Sequence, residues 1–291
     1  MNLFPVLSVC VFAFSFTALL ATPASTALAA DALEKLGQTF WDWRGQFAAF
    51  WGDDVNRIER PGGLRDWSAA AVSKRRSDLE QFESEWEAMN PTGWPVSRQV
   101  DYRLMGSALA RVHWELDVNP RWRRDPLFYL DQTLTPVAEA LTVPPPYDSA
   151  HSREILTRIE NVSMLLRQAR ENLRQPPAPF AAAAIQALGN IQERLRRMAI
   201  ALLPVTTLKE QELSSAAETA GNALEAYRRW LQEQLPSLAK DTAIGRDAYV
   251  FFLKNVALYP YSPEQILAIR CKKTDRRRRR RSFVDGFGHG R

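Results

Sequence analysis

Apolar residues recur at steps of three and four along most of the chain, in segments separated by proline and glycine. This spacing places them on one face of an α-helix, whereas a strand with one exposed face would alternate apolar and polar residues. The first such segment ends near the turn at residues 61–63 and predicts one long helix. Its apolar stripe consists of Leu33, Leu36, Phe40, Trp43, Phe47 and Phe50.

Eight further helices are predicted by the same spacing. The second begins with Ser68 as its N-cap, the third follows Ser97, and the fourth covers residues 127–141. For the third, every fourth residue is apolar, which predicts a buried stripe of Val100, Leu104, Ala108, Val112 and Leu116.

The later helices contain the longest apolar stripes. One runs from Ile155 to Leu173, and another from Ala181 through Met198 toward Pro204. Thr207 and Glu210 form a capping-box pattern before the stripe Leu213, Ala217, Ala220, Leu224, Tyr227 and Leu231. A shorter helix includes Ala248, Phe251, Phe252 and Val256, and Ser262-Pro263 followed by Gln265 opens the last one.

The pattern as a whole predicts an all-α fold, because no segment shows the alternation of a half-buried strand. We expect a multi-helix array of long antiparallel helices, with short connections rich in proline and glycine and no sheet. Nine tryptophans and fourteen phenylalanines in 291 residues can fill a sizeable core. The helical domain is predicted to cover residues 30–270.

The N-terminus predicts export. Residues 3–20 carry no charge, and small residues follow up to Ala27-Leu28-Ala29, just before the first acidic residue, Asp31. This order is typical of a secretory signal peptide, here residues 1–29, and predicts a secreted or periplasmic protein with no membrane attachment after cleavage. An uncleaved membrane anchor is the alternative, since no lysine or arginine precedes the apolar run. After cleavage Cys271 is the single cysteine, so no intramolecular disulfide can form.

The charge of the chain is concentrated in its last residues. Residues 271–291 contain nine Lys and Arg and two Asp, including the run Arg276–Arg281, so the formal +5 of the whole chain leaves the first 270 residues at −2. Such a run binds polyanions, which makes a polyanion-binding arm one hypothesis. It lacks the interleaved aromatic and polar residues of nucleic-acid sites, so we expect no specific nucleic-acid partner. We interpret residues 271–291 as a basic disordered tail of the kind that out-of-frame translation of a GC-rich gene produces.

The titratable residues show no arrangement typical of a catalytic or metal site. The three histidines, His113, His151 and His289, are not followed by glutamate, and no two have the spacing of metal ligands on a helix. His113 precedes Asp117 by one turn, a pair that could orient an imidazole, but we interpret it as a partly buried structural histidine. His151 is interpreted as a solvated residue near a helix start. The sequence therefore predicts no catalytic, cofactor-binding or metal-binding residue.

Two other groups permit a functional and a structural interpretation. The aromatic residues of the first predicted helical segment, here called the aromatic group, could form a platform for sugar stacking. Their helical spacing favours a place in the core. The carboxylate pairs Glu83 with Glu87 and Asp53 with Asp54 resemble acid/base pairs, yet such pairs also line solvated helix faces. The aromatic group comprises Phe40, Trp41, Trp43, Phe47, Phe50 and Trp51.

Two long strings of the sequence resemble the bacterial family known as domain of unknown function 885. The first is found in residues 99–104, 107–112, 114–122, 125–126 and 128–130, and includes Trp114-Glu115-Leu116-Asp117 and Asp125-Pro126. The second is found in residues 244–249, 251–253 and 261–267, and includes Tyr261-Ser262-Pro263-Glu264-Gln265. The resemblance covers residues 35–269.

The resemblance implies a largely α-helical, often secreted protein related to zinc metallopeptidases. In complete members it implies zinc, a peptide substrate, and a His-Glu pair with a further His in the C-terminal half. No position here matches that motif, so no zinc ligand or general base is carried over and this chain is expected to hold no cofactor. It resembles the N-terminal helical portion of such a hydrolase, inactive alone. The alternatives are a non-catalytic helical interaction scaffold and a polyanion-binding protein acting through Arg276–Arg281.

Overall fold

The computed structural model describes residues 23–47 and 65–270, with side chains from residue 31 onward. Phe50, Trp51, Asp53, Asp54 and the basic tail lie outside the described residues, as does most of the predicted signal peptide. Within the described residues the fold is all-α and contains no strand, which confirms the predicted class. None of the helices in this part of the chain is long and apolar enough to span a bilayer.

Within residues 23–47 and 65–270, ten α-helices have defined bounds, and two short π-helical turns extend α3 and α10. The π-turns are π1 (Trp114–Val118) and π2 (Phe252–Val256), and residues 263–270 are also helical. The helices are α1 (Pro23–Gly45), α2 (Ala69–Glu87), α3 (Val96–His113), α4 (Arg121–Arg124), α5 (Pro126–Ala140), α6 (Ser149–Asn172), α7 (Ala178–Ala187), α8 (Ile191–Leu202), α9 (Glu210–Gln234) and α10 (Arg246–Phe251).

The long helix α9 lies at the centre of the fold and packs against α6, α7 and α8, while α6 also packs against α5. The side chains on its inner face are buried because the steps of three and four keep them on one side of the helix. The predicted stripe is confirmed in full by the buried residues Leu213, Ala217, Ala220, Leu224, Tyr227 and Leu231.

The predicted stripe of α6 is confirmed as well, with Ile155, Ile159 and Val162 among its buried residues. In α1, Leu33, Leu36 and Phe40 are buried, and Phe47 is buried just beyond the end of the helix, so the core interpretation of the aromatic group is confirmed for its described phenylalanines. Trp41 and Trp43 are half-buried against the same core.

Two predicted caps are confirmed. The Ser68 hydroxyl accepts a hydrogen bond from the N–H of Ala71 at the start of α2, at 3.3 Å. Ser262 and Gln265 cap each other, because the Ser262 N–H donates to the Gln265 side chain and the Gln265 N–H donates to the Ser262 hydroxyl. This reciprocal arrangement satisfies two backbone donors that a helix start leaves unpaired.

The predicted cap of α9 is wrong. The helix begins at Glu210, and the Glu212 carboxylate accepts from the Lys209 N–H at 3.2 Å. The Thr207 N–H donates to the Ser152 hydroxyl instead, at 3.1 Å, which ties the start of α9 to the buried side of α6. The local cap is thus formed two residues later than the sequence predicts, by Glu212 on the Lys209 N–H.

The predicted start and stripe of α3 also need correction. The helix begins at Val96 after Pro95, not after Ser97, and Val100 and Leu104 are about half exposed. The buried residues are Met105, Leu109 and Val112. Steps of four drift by about 40° each in a helix of 3.6 residues per turn, so the predicted stripe winds around the helix.

The predicted helix from Ala181 to Met198 is two helices, α7 and α8. Asn190 lies between them with a left-handed backbone, φ 54°, which asparagine tolerates better than most residues. The apolar pattern continues across the break because Leu188, Ile191 and Leu195 are all buried. The pattern therefore does not reveal the turn.

Helix α2 packs closely on α3 because Gly106 leaves room for an indole ring. A Cβ at Gly106 would lie 2.5 Å from the Trp86 ring. The Trp86 ring stacks on Tyr102 at 4.7 Å, and its Nε1–H donates to the Tyr102 carbonyl at 3.0 Å. This contact holds α2 against the α3 segment that carries the first family-like string.

Candidate functional site

The two family-like strings, far apart in sequence, pack against each other. The Ser107 hydroxyl of α3 donates to the Val256 carbonyl of π2 at 2.6 Å. The Trp114 ring lies nearly parallel to that of Phe251, with centroids 6.4 Å apart, and also contacts Phe252. We call this contact between α3–π1 and α10–π2 the string junction.

Both π-turns lie at the string junction. The Asn119 N–H donates to the Trp114 carbonyl and the Ala257 N–H to the Phe252 carbonyl, each at 2.8 Å and each spanning five residues. Such turns are rare and often mark functional sites, since the extra residue reorients neighbouring side chains. Here π1 directs Glu115 into the core while Asp117 remains exposed.

A polar rim surrounds the outer side of the string junction. The Arg76 Nε–H of α2 donates to the Asp117 carboxylate at 2.7 Å, and both side chains are about one-third exposed. Burial raises the pKa of the nearby Glu83 carboxyl. The rim therefore combines an ion pair with a carboxyl group that holds its proton more strongly than usual.

His113 is half-buried at this rim, with its ring centroid 5.6 Å from that of Phe251. The carboxylate of Asp117, one turn on, pairs with Arg76. The structure thus gives Asp117 a partner on another helix instead of the imidazole that their sequence spacing suggested.

Beneath the rim, Glu115 forms a buried ion pair with Arg44 of α1. Both side chains are nearly inaccessible, at 4% and 2% exposure. The Arg75 guanidinium lies over the rings of Phe47 and Trp67, 4.7 Å from each centroid, and burial lowers its pKa to about 10. Sequence reasoning missed this layer, which joins α1, α2 and π1 below the surface.

A second charged group lies where α4 meets α5, within the first string. Arg121 donates to Asp125 at 2.7 Å and lies 3.6 Å from Asp131. Burial raises the pKa of Asp131 to about 6, while the charge of Arg121 opposes the rise and that of Asp125 adds to it. Asp131 is therefore partly protonated in mildly acidic solution.

Asp131→Asn changes the free energy of unfolding by an amount that should depend on pH. Its effect is expected to be more stabilising at pH 7.5 than at pH 4, by about 1–2 kcal/mol. The folded state binds the Asp131 proton more tightly than the unfolded state does. The stabilisation from that proton is complete below pH 4 and is lost as the pH rises through 6, whereas asparagine does not titrate. Urea unfolding of both proteins across this range measures the difference.

The exposed Asp101 provides the control, because Asp101→Asn changes the same charge at a half-exposed position. Its effect should differ little between pH 4 and pH 7.5. An Asp131→Asn effect equally independent of pH would show that Asp131 does not titrate as described.

Two grooves run along α9, away from the residues of the string junction. One of about 620 Å³ lies between α8 and α9, lined by Arg196, Ile200 and Glu218 among others. The other, of about 610 Å³, lies between α6 and α9 and is lined mainly by small and charged side chains. Their linings resemble solvated helix faces more than a convergent binding site.

The described residues do not fit a zinc site. Within residues 31–47 and 65–270, no three His, Cys, Asp or Glu side chains are grouped so that they could hold a metal ion.

His151 is half-buried, contrary to its interpretation as a solvated residue. Its Nε2 lies 2.7 Å from the Ala140 carbonyl and its Nδ1 3.3 Å from the Glu154 carboxylate, so it joins α5 to α6.

The model of one protein family matches most of the chain. The family is described as bacterial protein of unknown function (DUF885), and the match covers residues 46–280. This chain belongs to the DUF885 family. The match begins and ends later than the expected range of 35–269, and it contains both strings that form the string junction.

A solved structure from Shewanella oneidensis, of a candidate lipoprotein of unknown function, is similar to this DUF885 chain. The sequences are 17% identical and the TM-score is 0.58. The similarity covers 88% of this chain and 46% of that chain, so this chain spans less than half the length of that relative. At this identity the likeness shows a shared fold alone. No curated protein matches the chain.

Proposed function

We propose that this chain is the helical N-terminal portion of an exported, zinc-metallopeptidase-like hydrolase. In this proposal the metal-binding residues belong to the part of the family domain that has no counterpart here. The observation that carries the proposal is the family match over residues 46–280, in which the two strings meet at one junction. The 46% coverage of the Shewanella chain supports a two-part arrangement.

The string junction would form one wall of the substrate cleft. The buried pair of Arg44 with Glu115 and the stacked rings of Trp114 and Phe251 hold π1 in place. Substrate-positioning residues need such support, since small displacements at a reacting centre are costly.

The polar rim would then bind peptide through charged groups at its surface. Arg76 can donate to a peptide carbonyl or carboxylate, and the protonated form of Glu83 can donate as well. These roles are binding and orientation of a substrate. The proposal gives no residue of this chain a bond-breaking role.

Zinc content tests the proposal on this chain alone. The purified protein, dialysed against buffer containing zinc and then against metal-free buffer, is expected to retain far less than one zinc per chain by plasma mass spectrometry. The reason is that tight zinc sites use three or four protein ligands, and the described residues provide no such group. Retention of one zinc per chain, lost after chelator treatment, would show that this chain has its own metal site.

A further inference from the structure

Two side chains in the layer beneath the string junction carry buried donors that have no acceptor among the described residues. Trp67 is 1% exposed, and its indole Nε1–H donates to no atom there. Arg75 is 8% exposed, and its Nη1 has no acceptor either, although its Nη2 donates to the Asp66 carbonyl. Buried donors in folded proteins almost always have a partner, so an unmet one indicates a bound water molecule or ion.

The other polar groups of Trp67 are satisfied. Its backbone N–H donates to the Gln168 side chain at 2.8 Å, and its carbonyl accepts from the Asn172 side chain at 2.7 Å. The indole ring packs edge-on against Phe128, with centroids 4.7 Å apart. Helices α5 and α6 therefore fix both the backbone and the ring of Trp67, and the direction of the indole N–H is fixed with them.

The donors of Trp67 and Arg75 belong to one enclosed cluster. The guanidinium carbon of Arg75 lies 4.7 Å from the centroid of the Trp67 ring and equally far from that of Phe47. The three side chains are all buried. A ligand of this cluster is therefore shielded from solvent on most sides.

The buried charges around the cluster are mainly positive. In the described part of this layer, three guanidinium groups are buried with one carboxylate: Arg44, Arg65 and Arg75 with Glu115. Burial lowers the pKa of Arg65 to about 10, and the positive charge of Arg75 lowers it further. Both arginines remain charged at neutral pH, so an anion beside Arg75 reduces the repulsion between them.

We propose that a monovalent anion of the size of chloride binds between the Trp67 indole N–H and the Arg75 guanidinium. Tryptophan and arginine side chains donate hydrogen bonds and do not accept them, so the ligand has to accept from both. A water molecule would need acceptors for its own two hydrogens, whereas an anion only accepts and also gains the stronger bond to a charged donor. The low exposure of both side chains favours a ligand of a single atom.

The bound anion would connect two helices. Trp67 is held by Gln168 and Asn172 of α6, and Arg75 belongs to α2, so an ion bonded to both links α2 to α6. A ligand that binds only the folded state stabilises it, and the stability of the protein therefore depends on the anion concentration. The site requires neither zinc nor peptide and is independent of the proposed function.

Urea unfolding of the purified protein at neutral pH tests the site. Sodium chloride is raised from about 1 to about 100 mM, and sodium gluconate keeps the ionic strength constant because gluconate is too large for the enclosed cluster. The equilibrium constant for folding should rise at least about tenfold over this range. No rise would overturn the proposal.

Trp67→Phe removes the indole donor and keeps an aromatic ring, so it should reduce the chloride effect to less than about twofold. Trp122→Phe is the matched control. Trp122 is 6% exposed and has the Arg76 and Arg123 guanidiniums over its ring, but its Nε1–H donates to the Leu116 carbonyl at 3.1 Å. This control should keep the full chloride effect. An undiminished effect in Trp67→Phe would place the anion elsewhere, as on the basic tail, and overturn the proposal.

A direct measurement covers the case in which Trp67→Phe does not fold. Crystals of the unsubstituted protein are soaked in sodium bromide, and the anomalous scattering of bromine locates the ion. A peak in hydrogen-bond contact with the Trp67 Nε1 and the Arg75 guanidinium is expected. Peaks at the protein surface alone would show adventitious ions only and would overturn the proposal.

Discussion

Replacing Glu115 with glutamine is expected to lower the free energy of unfolding by about 3–5 kcal/mol, because it removes one charge of a buried ion pair and leaves the charge of Arg44 in place. The two side chains are 4% and 2% exposed, so water cannot replace the lost carboxylate. Glutamine has nearly the same shape, which limits the change to charge. Urea unfolding followed by circular dichroism gives the difference.

The control is Asp117→Asn in the same π-turn. Its pair with Arg76 is about one-third exposed at both side chains, so breaking it should cost less than about 1 kcal/mol. Equal destabilisation by Glu115→Gln and Asp117→Asn would mean that burial does not increase the contribution of the Arg44–Glu115 pair to stability. The account of the layer beneath the string junction would then be wrong.

Leu224→Ala is expected to lower the free energy of unfolding by about 2–5 kcal/mol, since it removes a fully buried side chain and leaves a cavity. Leu224 has 0% exposure on α9, the helix that packs against α6, α7 and α8. Unfolding in denaturant measures the loss. An unchanged dependence of the unfolding free energy on denaturant concentration (the m-value) would confirm that stability alone has changed.

The same substitution at Leu267 is the matched control. Leu267 is 62% exposed, so Leu267→Ala should change stability by no more than about 0.5 kcal/mol. A loss at Leu267 comparable to that at Leu224 would mean that burial on α9 does not account for the cost of Leu224→Ala.

The fold class and the central helices could be predicted from the sequence because their apolar residues follow the helical period closely. In α9, the steps from Leu213 to Leu231 average close to 3.6 residues, so the predicted and buried sets coincide. In α3, uniform steps of four start on one face and end on another. Val100 and Leu104 are consequently exposed while Val112 is buried.

The break at Asn190 could not be read from the apolar pattern, although Gly189-Asn190 is a local signal for it. Glycine and asparagine are the residues that most readily adopt the backbone that ends a helix. Buried residues on both sides preserve the period across the turn, so the pattern indicated one helix. Local chemistry was the better guide there.

The candidate site depends on contacts that no local pattern encodes. Glu115 and Arg44 are 71 positions apart, and Ser107 and Val256 are 149 apart. One signal was present for Arg44, which follows Phe40 by four residues and precedes Phe47 by three, and so lies on the apolar stripe of α1. A charge at such a position indicates a buried partner, but the sequence does not identify it.

The most direct test of the two-part account compares this chain with the intact Shewanella protein in one assay. Each is incubated with a mixed peptide library and zinc, and new products are detected by mass spectrometry with and without chelator. The account predicts chelator-sensitive cleavage by the Shewanella protein and none by this chain. Chelator-sensitive cleavage by this chain, with or without cleavage by the Shewanella protein, or its absence from both proteins, would contradict it.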